Sequence, residues 1–154
     1  MIMATRTAPK NVVLVGRINV GKSSLFNRLT GKKHALVSSS PGTTRDRRMA
    51  LIEWNKTTMH FVDTGGVEHT TTDDEWQPHI SAQTEKALEE ADLVLLVVSA
   101  KDGVLPQDKA WAKKLRGKYR TLLVVNKVDT ARLDMSVFDF LILGLGEPIP
   151  VLPL

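Results

Sequence analysis

Residues 12–24 read "VVLVGRINVGKSS". The four apolar residues Val12–Val15 form a continuous run, as expected of a strand covered on both faces. The turn that follows matches G-x-x-x-x-G-K-[ST] from Gly16 to Ser23, and a helical pattern opens at Lys22. This strand–loop–helix setting is one in which backbone amides and a helix N-terminus cradle phosphate. The glycines let the backbone wrap, so that the amides of Gly16, Ile18, Asn19, Val20, Gly21 and Ser24 turn inward. Lys22 is placed to reach β- and γ-phosphates, and the Ser23 hydroxyl to ligate Mg2+. A tight turn without a ligand is the bland alternative, but chance gives this pattern in only about one chain in several hundred.

Beyond the loop, apolar runs recur at Met59–Val62, Leu93–Val98 and Leu122–Val125, with a more mixed run at Met49–Trp54. Helical patterns cover Lys22–Leu29, Ile80–Glu90, Gln107–Leu115 and Leu133–Leu143. Pro106 and Gln107 suit a helix start and Gly117 a stop. Alternating strands and helices predict a doubly wound α/β sheet, with ligands at the carboxyl ends of its strands.

The chain has 154 residues, the length of one domain, with a tail expected over 1–9 and the folded unit over 10–154. Hydrophobic residues make up 42% and charged residues 25%, an ordinary soluble balance. There is no cysteine, which excludes disulfides, thiolate metal sites and cysteine nucleophiles. The first ten residues lack a signal-like apolar stretch, and Leu93–Val98 is far too short for a membrane span, so a cytoplasmic chain without a membrane partner is expected. A net charge of +4 suits an RNA-bearing partner and a merely solvated surface equally well. No DNA partner is expected.

Three further segments gain meaning from the loop. Asp63-Thr64-Gly65-Gly66 ends a strand and fits D-x-x-G: Asp63 would hold a magnesium-bound water, and the Gly66 amide would meet a γ-phosphate. Thr43 and Thr44 lie in a loop between the two motifs that could close over magnesium and phosphate. Asn126-Lys127-Val128-Asp129 ends the 122–125 strand. A buried Asp129 carboxylate there would accept two hydrogen bonds from guanine, whereas adenine offers no such donor pair and would leave it unpaired. Asn126 would touch the base and tie the loop, and the Lys127 stem would cover the ring.

The set "GRINVGKSS", "PGTTRD", "DTGG" and "NKVD" resembles the translation-factor-related bacterial GTPases. The runs "PGTTRDR", "EEADLVLLVV" and "LGLGEPIPV" are most similar to the first G domain of the Der (EngA) family. The resemblance spans residues 10–151. It implies a P-loop, Ras-like G domain with one antiparallel strand, binding GTP and GDP and serving ribosome assembly through a ribosomal subunit or rRNA. Thr44 falls where that family keeps its threonine, and is preferred to Thr43 as a magnesium ligand and catalytic residue.

Three departures sharpen the expectation. Val67 stands where Ras-like switches carry a water-orienting glutamine. In the Der-like group an aliphatic residue is normal there, and the matching asparagine, Asn19, would hold K+ against the phosphates. Asn19, Lys22 and Thr44 are therefore the catalytic candidates, with slow hydrolysis. A non-hydrolysing module that binds guanine nucleotide or RNA is the alternative, and an ATPase or small-molecule kinase a third reading. Second, the family carries a Ser-Ala segment after its last strand that reads the guanine carbonyl. Here the sequence is Leu152-Pro153-Leu154, which reads as a G domain incomplete at its C-terminus with one sheet face uncovered. Ser99-Ala100-Lys101 looks like that motif but precedes "NKVD" and follows the wrong strand, so it reads as coincidence. Third, Ile18 replaces a proline, loosening the loop slightly.

Two basic clusters could meet RNA phosphates. Arg45, Arg47 and Arg48 lie in the candidate switch, while Lys113, Lys114, Arg116, Lys118 and Arg120 are better read as charge at a helix end. Trp54, Trp76 and Trp111 are too scattered to stack bases. His34, His60, His69 and His79 lack metal-ligand spacing.

Overall fold

The computed structural model describes residues 9–37, 48–64 and 80–152. Strand β1 (Lys10–Val15) leads through the phosphate loop into helix α1 (Lys22–His34), which is interrupted at Gly31. Then come β2 (Ala35–Val37), β3 (Arg48–Trp54), β4 (Thr57–Asp63), α2 (Ala82–Glu89), β5 (Leu93–Ser99), α3 (Pro106–Leu115) and β6 (Thr121–Asn126). The order closes with α4 (Ala131–Ser136), a 3₁₀ segment (Val137–Leu143) and β7 (Ile149–Pro150).

The strands form one sheet in the order β2-β3-β4-β1-β5-β6-β7. All run parallel except β3, which is antiparallel to both neighbours. The expected Ras-like α/β sheet with one antiparallel strand is therefore present. β2 and β7 were not legible as strands, because three and two residues are too few for a periodicity.

The pleat sends alternate residues to opposite faces. On one face Val94, Leu96, Val98, Leu123 and Val125 pack under α2, α3 and the 3₁₀ segment. On the other, Val12, Leu14, Leu95, Val97 and Val124 meet Leu25 and Phe26 of α1. Toward β7 on this second face, Leu122 and Ile149 remain 40% and 42% exposed.

The helix expected over 133–143 divides into α4 and the 3₁₀ segment. Val137, Phe140 and Leu143 are the buried residues, a strict three-residue repeat that a 3₁₀ helix aligns on one side. Helix α3 starts one residue earlier than the pattern suggested, at Pro106, and the Asp108 carboxylate accepts the Leu105 N–H at 2.9 Å. Among the described residues, no helix is long and apolar enough to cross a membrane.

Candidate phosphate and base site

Parallel strands β1, β4, β5 and β6 end along one edge of the sheet, bringing sequence-distant motifs together. The phosphate loop leaves β1 with Gly16 at φ 145°, Asn19 at φ 68° and Gly21 at φ 94°. Asparagine is among the few non-glycine residues that tolerate the left-handed region, which explains how it can hold the middle of the loop. The first α1 bond runs from the Leu25 N–H to the Gly21 carbonyl, 2.9 Å.

Lys22 folds back along this loop, only 5% exposed. Its Nζ donates to the Gly16 and Arg17 carbonyls at 3.0 and 2.8 Å. Burial lowers its pKa from 10.5 to about 8; the Asp63 carboxylate opposes that shift and Arg17 adds to it. Asp63 ends β4, is 2% exposed and accepts the Ser23 hydroxyl at 3.2 Å. Thr64 secures the same corner through its hydroxyl, which donates to the Leu14 carbonyl at 2.8 Å.

The other half of the site comes from β6. Asn126 Nδ2 donates to the Val20 carbonyl at 3.0 Å, and Lys127 Nζ to the Asn19 carbonyl at 2.6 Å. These are the ties from the base motif to the loop that the sequence anticipated for Asn126, with Lys127 adding a second. Ile18, Asn19, Lys22 and Ser23 line a concavity of about 470 Å3. An adjoining hollow of about 400 Å3, lined by Leu25, Arg28 and Asn126, shares Gly21, Ser24 and Lys127 with it. Asp129 differs from expectation. Its side chain is not buried but 31% exposed, and its Oδ2 pairs with Lys101 Nζ at 2.9 Å. Thr44, Gly66 and Val67 lie outside the described residues, as do Thr43, Arg45, Arg47 and Trp76.

Arg17, the residue after Gly16, leaves the loop for α3 and the turn before it. Arg17 Nε donates to Asp108 Oδ1 at 3.2 Å and Nη2 to Asp102 Oδ2 at 3.0 Å. The loop's second residue is thus strapped to α3, ninety-one positions away. No local pattern signals such a pair. The Asp108 side chain is 1% exposed, and burial pushes its carboxyl upward against the Leu105 N–H and Arg17, which hold it down. Asp108→Ala should cost about 2–4 kcal/mol of stability, because it leaves a guanidinium with 11% exposure short of a partner and uncaps α3. Asp102→Ala, at a 43% exposed carboxylate, should cost under about 1 kcal/mol. Urea unfolding of both variants checks the contrast, and equal losses would refute it.

The α3 basic cluster is partly committed to packing. Lys114 Nζ pairs with Glu85 Oε1 of α2 at 2.7 Å, whereas Lys113, Arg116, Lys118 and Arg120 are exposed.

Residues 11–127 match the family model for 50S ribosome-binding GTPases. GTPase Der of Ligilactobacillus salivarius is 46% identical over 144 residues, 91% of this chain and 32% of that protein. The chain spans about a third of the length of the curated relatives it matches. Aquifex aeolicus Era bound to GDP and AlF4- superposes with a TM-score of 0.69 at 28% identity, over 94% of this chain and 51% of that one. Era in complex with MgGDPNP and nucleotides 1506–1542 of 16S ribosomal RNA gives a TM-score of 0.70 at 29% identity, over 92% and 50%.

Proposed function

The chain belongs to the 50S ribosome-binding GTPase family, and from that premise we propose a guanine-nucleotide switch domain that hydrolyses GTP slowly and acts in ribosome assembly. The observation that carries this reading is the tie between its two halves: Asn126 and Lys127 each hold a carbonyl of the phosphate loop. A phosphate cradle braced by the base-reading motif fits a nucleotide better than a free phosphate.

Under this reading Lys22 and the loop amides take the phosphates, and Asp129 accepts from guanine. Ser23 and Asp63 fit Mg2+, since their hard oxygens already converge at 3.2 Å. Bound there, Mg2+ would neutralise charge on the β- and γ-phosphates. Thr44 and Gly66 would complete the γ-phosphate side, and reshaping of residues 32–47 and 64–80 would report the nucleotide state to a ribosomal partner. Asn19 stands exposed on the loop rim, a position that fits K+; the ion would supply positive charge beside the phosphates. A ribosomal role would place the protein in the cytoplasm, and Era's complex with 16S rRNA supports an RNA-bearing partner.

Single-turnover GTP hydrolysis with Mg2+, compared in potassium and sodium at matched ionic strength, tests the reading. Phosphate release in both salts, faster in potassium, is expected. Equal rates would remove Asn19's role. No release in either salt would reduce the domain to a binding module. Competition of ATP and GTP for a fluorescent GDP tests the base, with GTP expected to displace it far better.

A further inference from the structure

The Ser99-Ala100-Lys101 stretch is not remote from the base motif. In the sheet, β6 has two parallel neighbours, β5 and β7, so the turn leaving β5 flanks "NKVD" as closely as the segment leaving β7. Ser99 lies in register with Asn126, and the Ala100 N–H donates to the Asn126 carbonyl at 2.9 Å. On its other side the turn is held by Asp102, which accepts from Arg17 of the phosphate loop at 3.0 Å. Lys101 is thus fixed between two anchored neighbours, and its ammonium sits 2.9 Å from Asp129 Oδ2.

With side-chain exposures of 53% and 31%, this ion pair adds little to stability. Its consequence is where it places a donor. We propose that Lys101 is a guanine-specificity residue whose ammonium, held beside Asp129 at the head of β5, donates to the 6-carbonyl of the base. This rests on the guanine reading of Asp129 given above.

The chemistry follows from the two edges. A carboxylate offers about four lone-pair sites, so it can take guanine's ring and exocyclic N–H groups and still keep the lysine. Guanine carries its 6-carbonyl next to the ring N–H that Asp129 accepts. An ammonium on the same carboxylate therefore has spare protons where that oxygen arrives. Adenine brings an amino donor to that position, and an ammonium has no acceptor to offer it. Asp129 and Lys101 together present the acceptor–donor order complementary to guanine's edge. The 6-carbonyl is then read from the β5 side of β6, in addition to anything that reads it from the β7 side.

The test uses GDP and 6-thio-GDP, in which a weakly accepting sulfur replaces the carbonyl oxygen and both N–H donors remain. Lys101→Met keeps the stem and removes the donors; it should weaken GDP about fivefold and 6-thio-GDP less than about twofold, since a hydrogen bond to a charged group is lost only with the oxygen acceptor. Lys101→Arg should keep most of the GDP affinity. Equal weakening of both ligands would show that Lys101 acts only by orienting Asp129, and tighter GDP binding would show that it competes for the carboxylate. Either result overturns the proposal. Equal affinity of the unmodified chain for GDP and ADP would instead overturn the guanine reading beneath it.

Discussion

Gly21→Ala should lower GDP affinity by about 10- to 100-fold, measured by titration calorimetry with Mg2+, because it strains the turn and breaks the Asn126 tie that holds the loop in shape. At φ 94°, Gly21 occupies backbone space that L side chains rarely adopt. An added Cβ would also run into Asn126 Nδ2, while Lys127 Cε, 3.9 Å away, would be in no more than ordinary contact. Asn126 Nδ2 makes the Val20 tie, so one methyl group pushes Asn126 off the loop. Gly117→Ala supplies the control. It has a similar strain, φ 76°, but nothing within 4 Å of the new carbon. It should cost about 1–2 kcal/mol of stability and leave the GDP dissociation constant unchanged. If Gly21→Ala binds GDP like the unmodified chain, contact between Asn126 and the loop is not what shapes the cradle. Equal losses of affinity in the two variants would mean that general strain, not the cradle, governs binding.

The contrast between those glycines also separates chemistry set by local sequence from chemistry set by sheet order. Gly16, Gly21 and Lys22 were legible because loop chemistry is local: the motif, its preceding strand and its following helix are contiguous. The core strands were legible because a parallel sheet buries both faces, leaving uninterrupted runs such as Leu93–Val98. Asn126 was legible through its place at a strand's carboxyl end, whereas the burial expected of Asp129 was not met. What was missed depends on sheet order, which no single run encodes. Placing β5 beside β6 brings Lys101 to Asp129, and placing it beside β1 brings Arg17 to Asp102 and Asp108. Chain order alone sets Ser99-Ala100-Lys101 apart from "NKVD", yet β6 has two neighbours, and the turn leaving β5 lies beside Asn126 and Asp129. The 3₁₀ segment was misread for a different reason. Its apolar residues are nearly continuous, with Phe138, Leu141 and Ile142 exposed among the buried ones, so a three-residue repeat is hidden inside a run that also suits an α-helix.

Lys22→Met should weaken GDP at least about 100-fold near pH 7, since the ammonium's charge-assisted bonds to phosphate each contribute about 1.5–3 kcal/mol. The gap should then narrow with pH. In the ligand-free loop, burial holds the Lys22 pKa down to about 8. Phosphate favours the charged form, so above about pH 8 binding must first restore a proton, and affinity of the unmodified chain should be about tenfold lower near pH 9. The variant has no such group and should stay flat over that range.

Stability of the empty domain moves the other way. A lysine whose folded pKa is depressed penalises folding fully below about pH 8, where both states are charged and only the folded one is desolvated. Between about pH 8 and 10.5 the unfolded chain binds more protons, so stability rises through that window as the penalty is relieved. Heating the protein with and without GDP near pH 7 and pH 9 should therefore show two opposed changes in Lys22's contribution: the free form gains, and the shift produced by GDP shrinks. Calorimetry near pH 9 in two buffers of different ionisation enthalpy should count close to one proton taken up per GDP bound. A GDP affinity that stays flat from pH 7 to 9 would mean that Lys22 leaves the Gly16 and Arg17 carbonyls for solvent when the loop is empty. The phosphate would then meet a mobile, fully charged lysine in place of one already folded into the cradle.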